Sequence, residues 1–574
     1  MKAKFILLVA LVAIGVVQAN ACTNFLVGRK ASVDGSTMIS YSADSYWLYG
    51  ALYHYPAAKY PAGTKMDVYE WDTGKYLGQI DQASETYNVI GNMNEYQVTI
   101  GETTYGGREE LVDTTGLIDY GSLIYITLQR SKNAREAIYN MVKLVEKYGY
   151  CSEGESFSIG DPKEIWILEM IGKGPGRKGA VWVARRLPDD CVSGHANQAR
   201  ITTFPLETKK DKTTISSKNL KRIHEPQITT IYSSDVIALA REKKYFSGKD
   251  EEFSFSDTYN PLDFSGVRIC EARVWQFFNR CDPKLMEKYI SYIECKTKER
   301  MPLWIKPNRQ IGVWDVKDAM RDHYEGTPWD TSKGMGTGGF QSVYRATPLF
   351  YKSSEGTEYF HERPVATQQT GFTFVAQMRS FLPRQIGGIL WFGVDDATCN
   401  IYLPIYCCTN HVPESLSEET ANMFKFSWNS AFWVNNWIAN MVYYRYSDLM
   451  PEVKDRQIAF EKKLYEETTE MDKKAQLILR DKPDQIVKIL TEYSNSKADQ
   501  ALKEWRNLGE YLMVKYVDGV EKGMENGRFK MNNKAIPGEV IRKGYSQEYI
   551  ESNLVKPNPE RFRAKTKAEM DKRK

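Results

Sequence analysis

The residue with the most chemical potential in this chain is Cys22, because of what precedes it. Lys2 and Lys4 are followed by the apolar run Phe5 to Val17, and Ala19-Asn20-Ala21 places small residues where a signal peptidase reads them. The run is shorter than the roughly 18 residues a bilayer span requires, so residues 1–21 are expected to be a signal peptide removed after Ala21. Cleavage there would make Cys22 the new amino terminus. A thiol is the best side-chain nucleophile near neutral pH but needs a base for its proton. An α-amino group, with a reference pKa of about 7.7–8.0, is well matched to that task. One residue would then hold nucleophile and base together. Two other readings of Cys22 stand beside this one: a buried or disulfide-bonded cysteine, and a lipidated cysteine whose acylation would block the amine. A lipidation signal favours a large aliphatic residue three positions earlier, where this chain has Ala19.

Other common site motifs are absent. His224 and His361 are each followed by Glu, but neither begins an H-E-x-x-H pair. There is no C-x-x-C pair and no G-x-S-x-G. Gly334-Met-Gly-Thr-Gly-Gly339 lacks the Lys-Ser/Thr ending of a phosphate-binding loop, and the pair Cys407-Cys408, with His411 nearby, reads as structural. No metal and no cofactor is called for, so a chelator should leave the proposed chemistry intact. The nine cysteines leave eight once Cys22 is set aside, an even number compatible with disulfides outside the cytoplasm.

Elements must position Cys22. The nearly alternating run from Cys22 to Gly28, the Asp34-Gly35 turn and the run Thr37 to Ser42 predict a hairpin with the cysteine at its first residue. Further strands are expected at Val98–Ile100, Glu164–Glu169, Ala180–Ala184, Gly371–Ala376, Gly388–Phe392 and Asn400–Leu403, and a helix over Asn133–Tyr148. Ile269–Tyr292 reads as partly helical, and residues 206–260 as polar connections. From Glu414 the chain becomes helical and charged, through Glu452–Arg480 and Ala498–Gly523. The expected organisation is an α+β catalytic domain over residues 22–450, then a helical C-terminal region with a basic tail over 451–574. Val555 to Lys574 carries eight Lys/Arg against three Asp/Glu, the pattern of a solvated tail. A net charge of +4 over 574 residues argues against nucleic-acid binding, and aromatics at 13% suit extended sheets and an aromatic-lined cleft. No later segment is long and apolar enough to span a membrane, so a periplasmic or extracellular protein is expected.

The segment Cys22-Thr-Asn-Phe-Leu-Val-Gly-Arg-Lys-Ala-Ser-Val-Asp-Gly-Ser36 resembles the opening of the dipeptidase A family. These are cysteine-type peptidases of the N-terminal nucleophile (Ntn) hydrolase superfamily, related to penicillin V acylases and bile salt hydrolases. The likeness continues through Gly160–Glu169, Trp182–Arg185, His195–Ile201, Arg273–Trp275, Gln377–Pro383 and Pro404–Tyr406, covering about residues 22–450. It implies a four-layer αββα fold and hydrolysis of dipeptide amide bonds through a thioester on Cys22. Asp44 falls where the family keeps an acidic residue that binds and tunes the α-ammonium group. The family usually carries an Arg a few residues earlier; Ser40-Tyr-Ser-Ala stands there instead, leaving the second tuning charge unassigned. Asn197 is the candidate oxyanion donor. Arg200 and Arg273 are the candidates for binding the substrate carboxylate or shaping the electrostatics, since a guanidinium fork suits a carboxylate. The expected partner is a dipeptide or short peptide; homo-oligomerisation stays open. Two alternatives remain: an Ntn amidase acting on a non-peptide acyl amide, and a lipid-anchored binding protein acylated at Cys22.

Overall fold

A computed structural model describes residues 22–571. The expected signal peptide therefore lies outside the described residues. The fold is built on two large sheets. Their strands, numbered along the chain, are β1 (Asn24–Val27), β2 (Thr37–Asp44), β3 (His54–Tyr55), β4 (Val89–Ile90), β5 (Met93–Asn94), β6 (Thr99–Gly106), β7 (Gly154–Gly160) and β8 (Ile165–Gly172). There follow β9 (Ala180–Arg186), β10 (Val192–His195), β11 (Thr214–Ser216), β12 (Thr230–Tyr232), β13 (Trp304–Ile305), β14 (Thr370–Met378), β15 (Gly388–Val394) and β16 (Leu403–Tyr406). The first sheet runs β13-β10-β1-β2-β14-β15-β16 and the second β11-β12-β9-β8-β7-β6-β5-β4-β3. All pairings are antiparallel except β11 with β12.

Strand periodicity explains how the sheets stack. Along β8, Ile165, Ile167 and Ile171 enter the core shared with Leu26, Ile39 and Phe374 of the first sheet. Trp166, Leu168 and Met170 point the other way, against helices α1 (Tyr120–Leu128) and α2 (Ala134–Tyr148). In the first sheet Phe25, Val27, Met38 and Trp391 face helices α3 (Ala272–Cys281) and α4 (Val313–Met320). Strands buried on both faces lose polar alternation, which is why β8 reads as an apolar run interrupted only by Glu169. The sheets also approach closely: a Cβ at Gly101 would lie 2.5 Å from the Asn24 side-chain amide. His195 of β10 reaches across the gap, with Nδ1 2.7 Å from Thr103 Oγ1 and Nε2 2.6 Å from Ser158 Oγ. Burial depresses its pKa to about 3, so it stays a neutral structural bridge.

Most expected elements appear within a few residues, and Asn133 caps α2 by accepting from Glu136 N. Three departures stand out. The strand expected at Asn400–Leu403 begins only at Leu403, because Asn400 turns the chain and accepts at its carbonyl from Arg321 and Gln457. The last long helix runs Ile486–Tyr516 rather than Ala498–Gly523. No disulfide forms among the described residues, which include all nine cysteines. Cys407 and Cys408 lie in the turn after β16 and enter different cores.

The helices α5 (Ala431–Tyr444), α6 (Tyr446–Asp481) and α7 (Ile486–Tyr516) are part of the same packed body. Leu464, Trp505 and Leu508 join the core that holds Cys22, and Trp505 Nε1 donates to Cys399 O at 2.8 Å. Buried pairs tie α6 to the end of α4, through Arg321 with Glu461 at 2.6 Å, and to the end of β14, through Arg379 with Asp472 at 2.5 Å. Among the described residues no helix is long and apolar enough to cross a membrane.

Candidate active site

Cys22 sits one residue before an isolated bridge in which Thr23 N donates to Ser42 O (3.3 Å) and Ser42 N to Thr23 O (3.0 Å). Pairing with β2 fixes the parity of this segment, so Cys22 shares the inner face with Asn24 and Leu26. Asn24 secures the approach to the second sheet. In the orientation its neighbours require, its amide donates to Glu102 O (2.9 Å) and accepts from Ser158 Oγ (3.1 Å). The thiol lies 3.6 Å from Glu102 Oε1, to which it donates, and 3.8 Å from Tyr41 Oη. Tyr41 also donates to Glu102 Oε1.

This environment is anionic. Burial, then the Glu102 and Asp44 carboxylates, push the Cys22 thiol well above its ordinary range. Burial lifts Glu102 to about 7. Glu155 faces Glu102 from β7, and burial together with that neighbour pushes its pKa well above the usual carboxylate range. Thr104 Oγ1 donates to Glu155 Oε1 at 2.6 Å. No histidine is among the hydrogen-bond partners of Cys22.

Asp44 is fully buried at the end of β2, where a register shift breaks the ladder. Its carboxylate accepts from Thr370 Oγ1 (2.7 Å) and Ser42 Oγ (3.2 Å) and pairs with Arg363 Nη2 at 2.5 Å. Arg363, the cation beside Asp44, lies 319 residues further along and no local spacing announces it.

Asn197 follows β10 in a left-handed conformation, φ 62°. Its Oδ1 accepts from Arg273 Nη2 (3.0 Å) and its Nδ2 donates to Thr104 O (2.7 Å). Arg273, from α3, donates through Nη1 to Cys22 O and Thr23 Oγ1, both at 2.7 Å, and through Nη2 to Ala196 O at 3.0 Å. Its guanidinium thus fastens Cys22 and Asn197 together. Arg200 lies elsewhere: it pairs with Glu271 at 2.7 Å and donates to Gly194 O, Leu303 O and Pro302 O. Neither arginine lines the cavity before Cys22, because the donors of both are spent on buried protein acceptors.

That cavity has a volume of about 240 Å³. Cys22, Tyr41 and Asp44 form its floor, and Tyr53, Trp71, Tyr120 and Phe372 its walls. Asp72 and Glu418 also line it. Trp71 and Asp72 lie in the turn between strands Lys65–Tyr69 and Tyr76–Asp81. The turn is tied to α1, since Trp71 N donates to the capping carboxylate Asp119 at 3.1 Å. Gly121 lets the indole lie flat on that helix, for a Cβ there would be 2.4 Å from the Trp71 side chain. Tyr120 Oη donates to Asp72 Oδ1 at 2.9 Å. The aromatic content points to an aromatic-lined cleft without naming its residues, and no motif in the sequence singles out Glu102, Glu155 or Asp72. The available signal was Glu102 itself, a carboxylate in a strand whose neighbours are otherwise apolar or small.

The thiol of Cys22 is thus buried just before β1, with its residue held by an arginine, and it borders a partly open cavity. The chain matches the sequence profile of peptidase family C69 over residues 21–54 and 48–459, and it belongs to that family, the family of dipeptidase A. It is thus a peptidase by family. "Dipeptidase A" of Lactobacillus helveticus is 26% identical over 449 residues, covering 73% of this chain and 81% of that protein. "Probable dipeptidase" of Latilactobacillus sakei is 23% identical over 446 residues (74% and 82%). "Probable dipeptidase" of Salmonella dublin is 25% identical over 424 residues (70% and 84%).

Proposed function

We propose that this chain is a cysteine dipeptidase of the Ntn-hydrolase type, exported and activated when cleavage after Ala21 frees the amino group of Cys22. The observation that carries the reading is the setting of Cys22: a peptide-linked thiol buried against Glu102 and Asp44 with no imidazole to activate it. Such a thiol is a poor nucleophile. An amine at the same residue supplies both the missing base and the missing positive charge. The two facing sheets with helices on their outer faces support the four-layer αββα assignment. The membership in a peptidase family and the names of the relatives support the reaction.

In the proposed reaction the α-amine takes the Sγ proton and the thiolate attacks the amide carbonyl carbon. The oxyanion so formed accepts a hydrogen bond from Asn197, whose amide Arg273 orients. A preorganised donor of this kind contributes roughly 10²–10³ in rate. Collapse expels the leaving amine, which receives the proton from the α-ammonium. Water, deprotonated by the same amine, then hydrolyses the thioester. Asp44, fixed by Arg363, balances the ammonium state. Residues 22–450 form the catalytic unit, with the C-terminal helices as its buttress and the basic tail beyond them.

The test compares the protein beginning at Cys22 with its Cys22→Ser variant on a dipeptide panel, with intact mass defining the amino terminus. Release of amino acids by the first alone is expected. A free Cys22 that cleaves no dipeptide would instead favour an acyl-amide substrate, and an acylated Cys22 a lipid-anchored protein. Full activity of Cys22→Ser would sink the reading.

A further inference from the structure

A dipeptide has an ammonium at one end and a carboxylate at the other, and the walls of the cavity distinguish them. Among the described residues that line it, three are carboxylates (Asp44, Asp72 and Glu418) and none is Lys or Arg. Asp44 is paired with Arg363 and, in the proposed mechanism, faces the Cys22 ammonium, which leaves Asp72 and Glu418 as the charges a ligand meets. Between them stand the rings of Tyr53, Trp71, Tyr120 and Phe372. Tyr53 and Trp71 pack edge to face with centroids 4.9 Å apart. Carboxylates combined with aromatic faces attract an ammonium through charge and through the ring quadrupole. The same walls repel a carboxylate. Arg200 and Arg273, the guanidinium groups expected from the sequence to bind a carboxylate, are buried and donate to protein acceptors, so neither reaches toward a substrate carboxyl group.

Size gives an independent constraint. A volume of about 240 Å³, below the roughly 300–1,000 Å³ of pockets that enclose a drug-sized ligand, suits a small ligand of one or two residues. A narrow annex bounded by Tyr55, Ile124 and Tyr125 continues from the shared wall of Tyr53, Trp71 and Tyr120. Its lining is almost wholly apolar and aromatic, a receptacle for an apolar side chain.

The geometry points to a cavity that takes the amino-terminal residue of the substrate, ammonium between Asp72 and Glu418 and side chain toward the aromatic annex, and leaves the carboxyl end unread. The inference rests on Cys22 being the hydrolytic nucleophile and deepens that reading by naming the substrate class. The protein is an aminopeptidase in its recognition: it requires a free α-amino group and accepts a C-terminal amide or a further residue. The chemistry is unchanged; the scissile amide is the first one, and whatever follows its nitrogen leaves as the amine.

Three substrates decide the matter: Phe-Ala, Phe-Ala-amide and N-acetyl-Phe-Ala. Their binding to the Cys22→Ala protein is followed by calorimetry and their turnover by the protein beginning at Cys22 is measured. Amidation is expected to change kcat/KM by less than about fivefold, and acetylation to lower it more than about a hundredfold. Asp72→Asn retains an acceptor for Tyr120 and is expected to raise KM for Phe-Ala about five- to twentyfold, leaving kcat within about threefold. A loss above about fiftyfold on amidation, or equal cleavage of the acetylated compound, overturns the inference. If none of the three is cleaved, the dipeptidase reading fails. Calorimetry still decides the present inference: it stands if the free and amidated peptides bind and the acetylated one does not, and falls otherwise.

Discussion

Replacing Glu102 by Gln removes the negative charge closest to the nucleophile while preserving side-chain shape and the acceptor that Tyr41 uses. The thiol sulfur is 3.6 Å from Glu102 Oε1. Two unit charges at that separation interact by about 1 kcal/mol in a water-like medium and by about 4–5 kcal/mol at an effective dielectric constant near 20. With tenfold per 1.4 kcal/mol, the thiolate fraction of Cys22 should rise between about fivefold and a thousandfold at a pH where Glu102 is ionised. Burial holds the Glu102 carboxyl at about 7, so that charge is present above pH 7 and absent well below it. The effect should therefore be large at pH 8.5 and vanish at pH 5.5. The other groups facing the thiol, Tyr41 and Asp44, remain unchanged. The assay is the rate of Cys22 alkylation by iodoacetamide, read by peptide mass spectrometry so that the other eight cysteines are resolved. Equal or slower labelling of the variant at pH 8.5 would refute the claim that carboxylates suppress this thiol.

Two further substitutions probe the scaffold. Asp44→Asn removes the carboxylate paired with Arg363, a fully buried cation, and should cost about 3–5 kcal/mol in urea unfolding; a change under about 1 kcal/mol would mean that the pair is not the anchor described here. Lys317 of α4 is buried with its Nζ 3.8 Å from the Trp391 ring centroid, and burial lowers its pKa to about 8. A base depressed from 10.5 in this way costs folded stability below pH 8, and the cost disappears as pH rises toward 10.5. Lys317→Met should thus stabilise the protein by about 1–2 kcal/mol at pH 7, after loss of the cation–π contact, with the gain gone near pH 10.5. A less stable variant at pH 7 would contradict that ordering.

The sequence was informative where structure is local. Alternation from Cys22 to Val27, with Asp34-Gly35 behind it, defines a hairpin because side-chain direction reverses at every residue and Gly35 (φ 78°) takes the turn. The same alternation already puts Cys22 on the face of Asn24 and Leu26. Helix α2 announces itself by its apolar period and its Asn133 cap. The strand at Leu403–Tyr406 was misplaced and the start of α7 was set too late, since short apolar runs and charged helices carry weak boundary signals.

The composition of the chain around Cys22 thus determined which residue is the nucleophile candidate and which elements present it. What surrounds the thiol was decided by tertiary structure alone. Arg363 reaches Asp44 across 319 residues, and Glu102 reaches Cys22 across 80. Asp72 joins the cavity from the turn of a separate hairpin, and Glu418 from the segment before α5. Arg273 looked like a carboxylate binder from its type, yet the packing of α3 against β1 turns its donors onto Cys22 O, Thr23 and Asn197. Strand and helix periods act over a few residues and leave their mark in the sequence. The charge a substrate meets depends on which distant segments the two sheets bring to one edge, and no spacing along the chain encodes that distance.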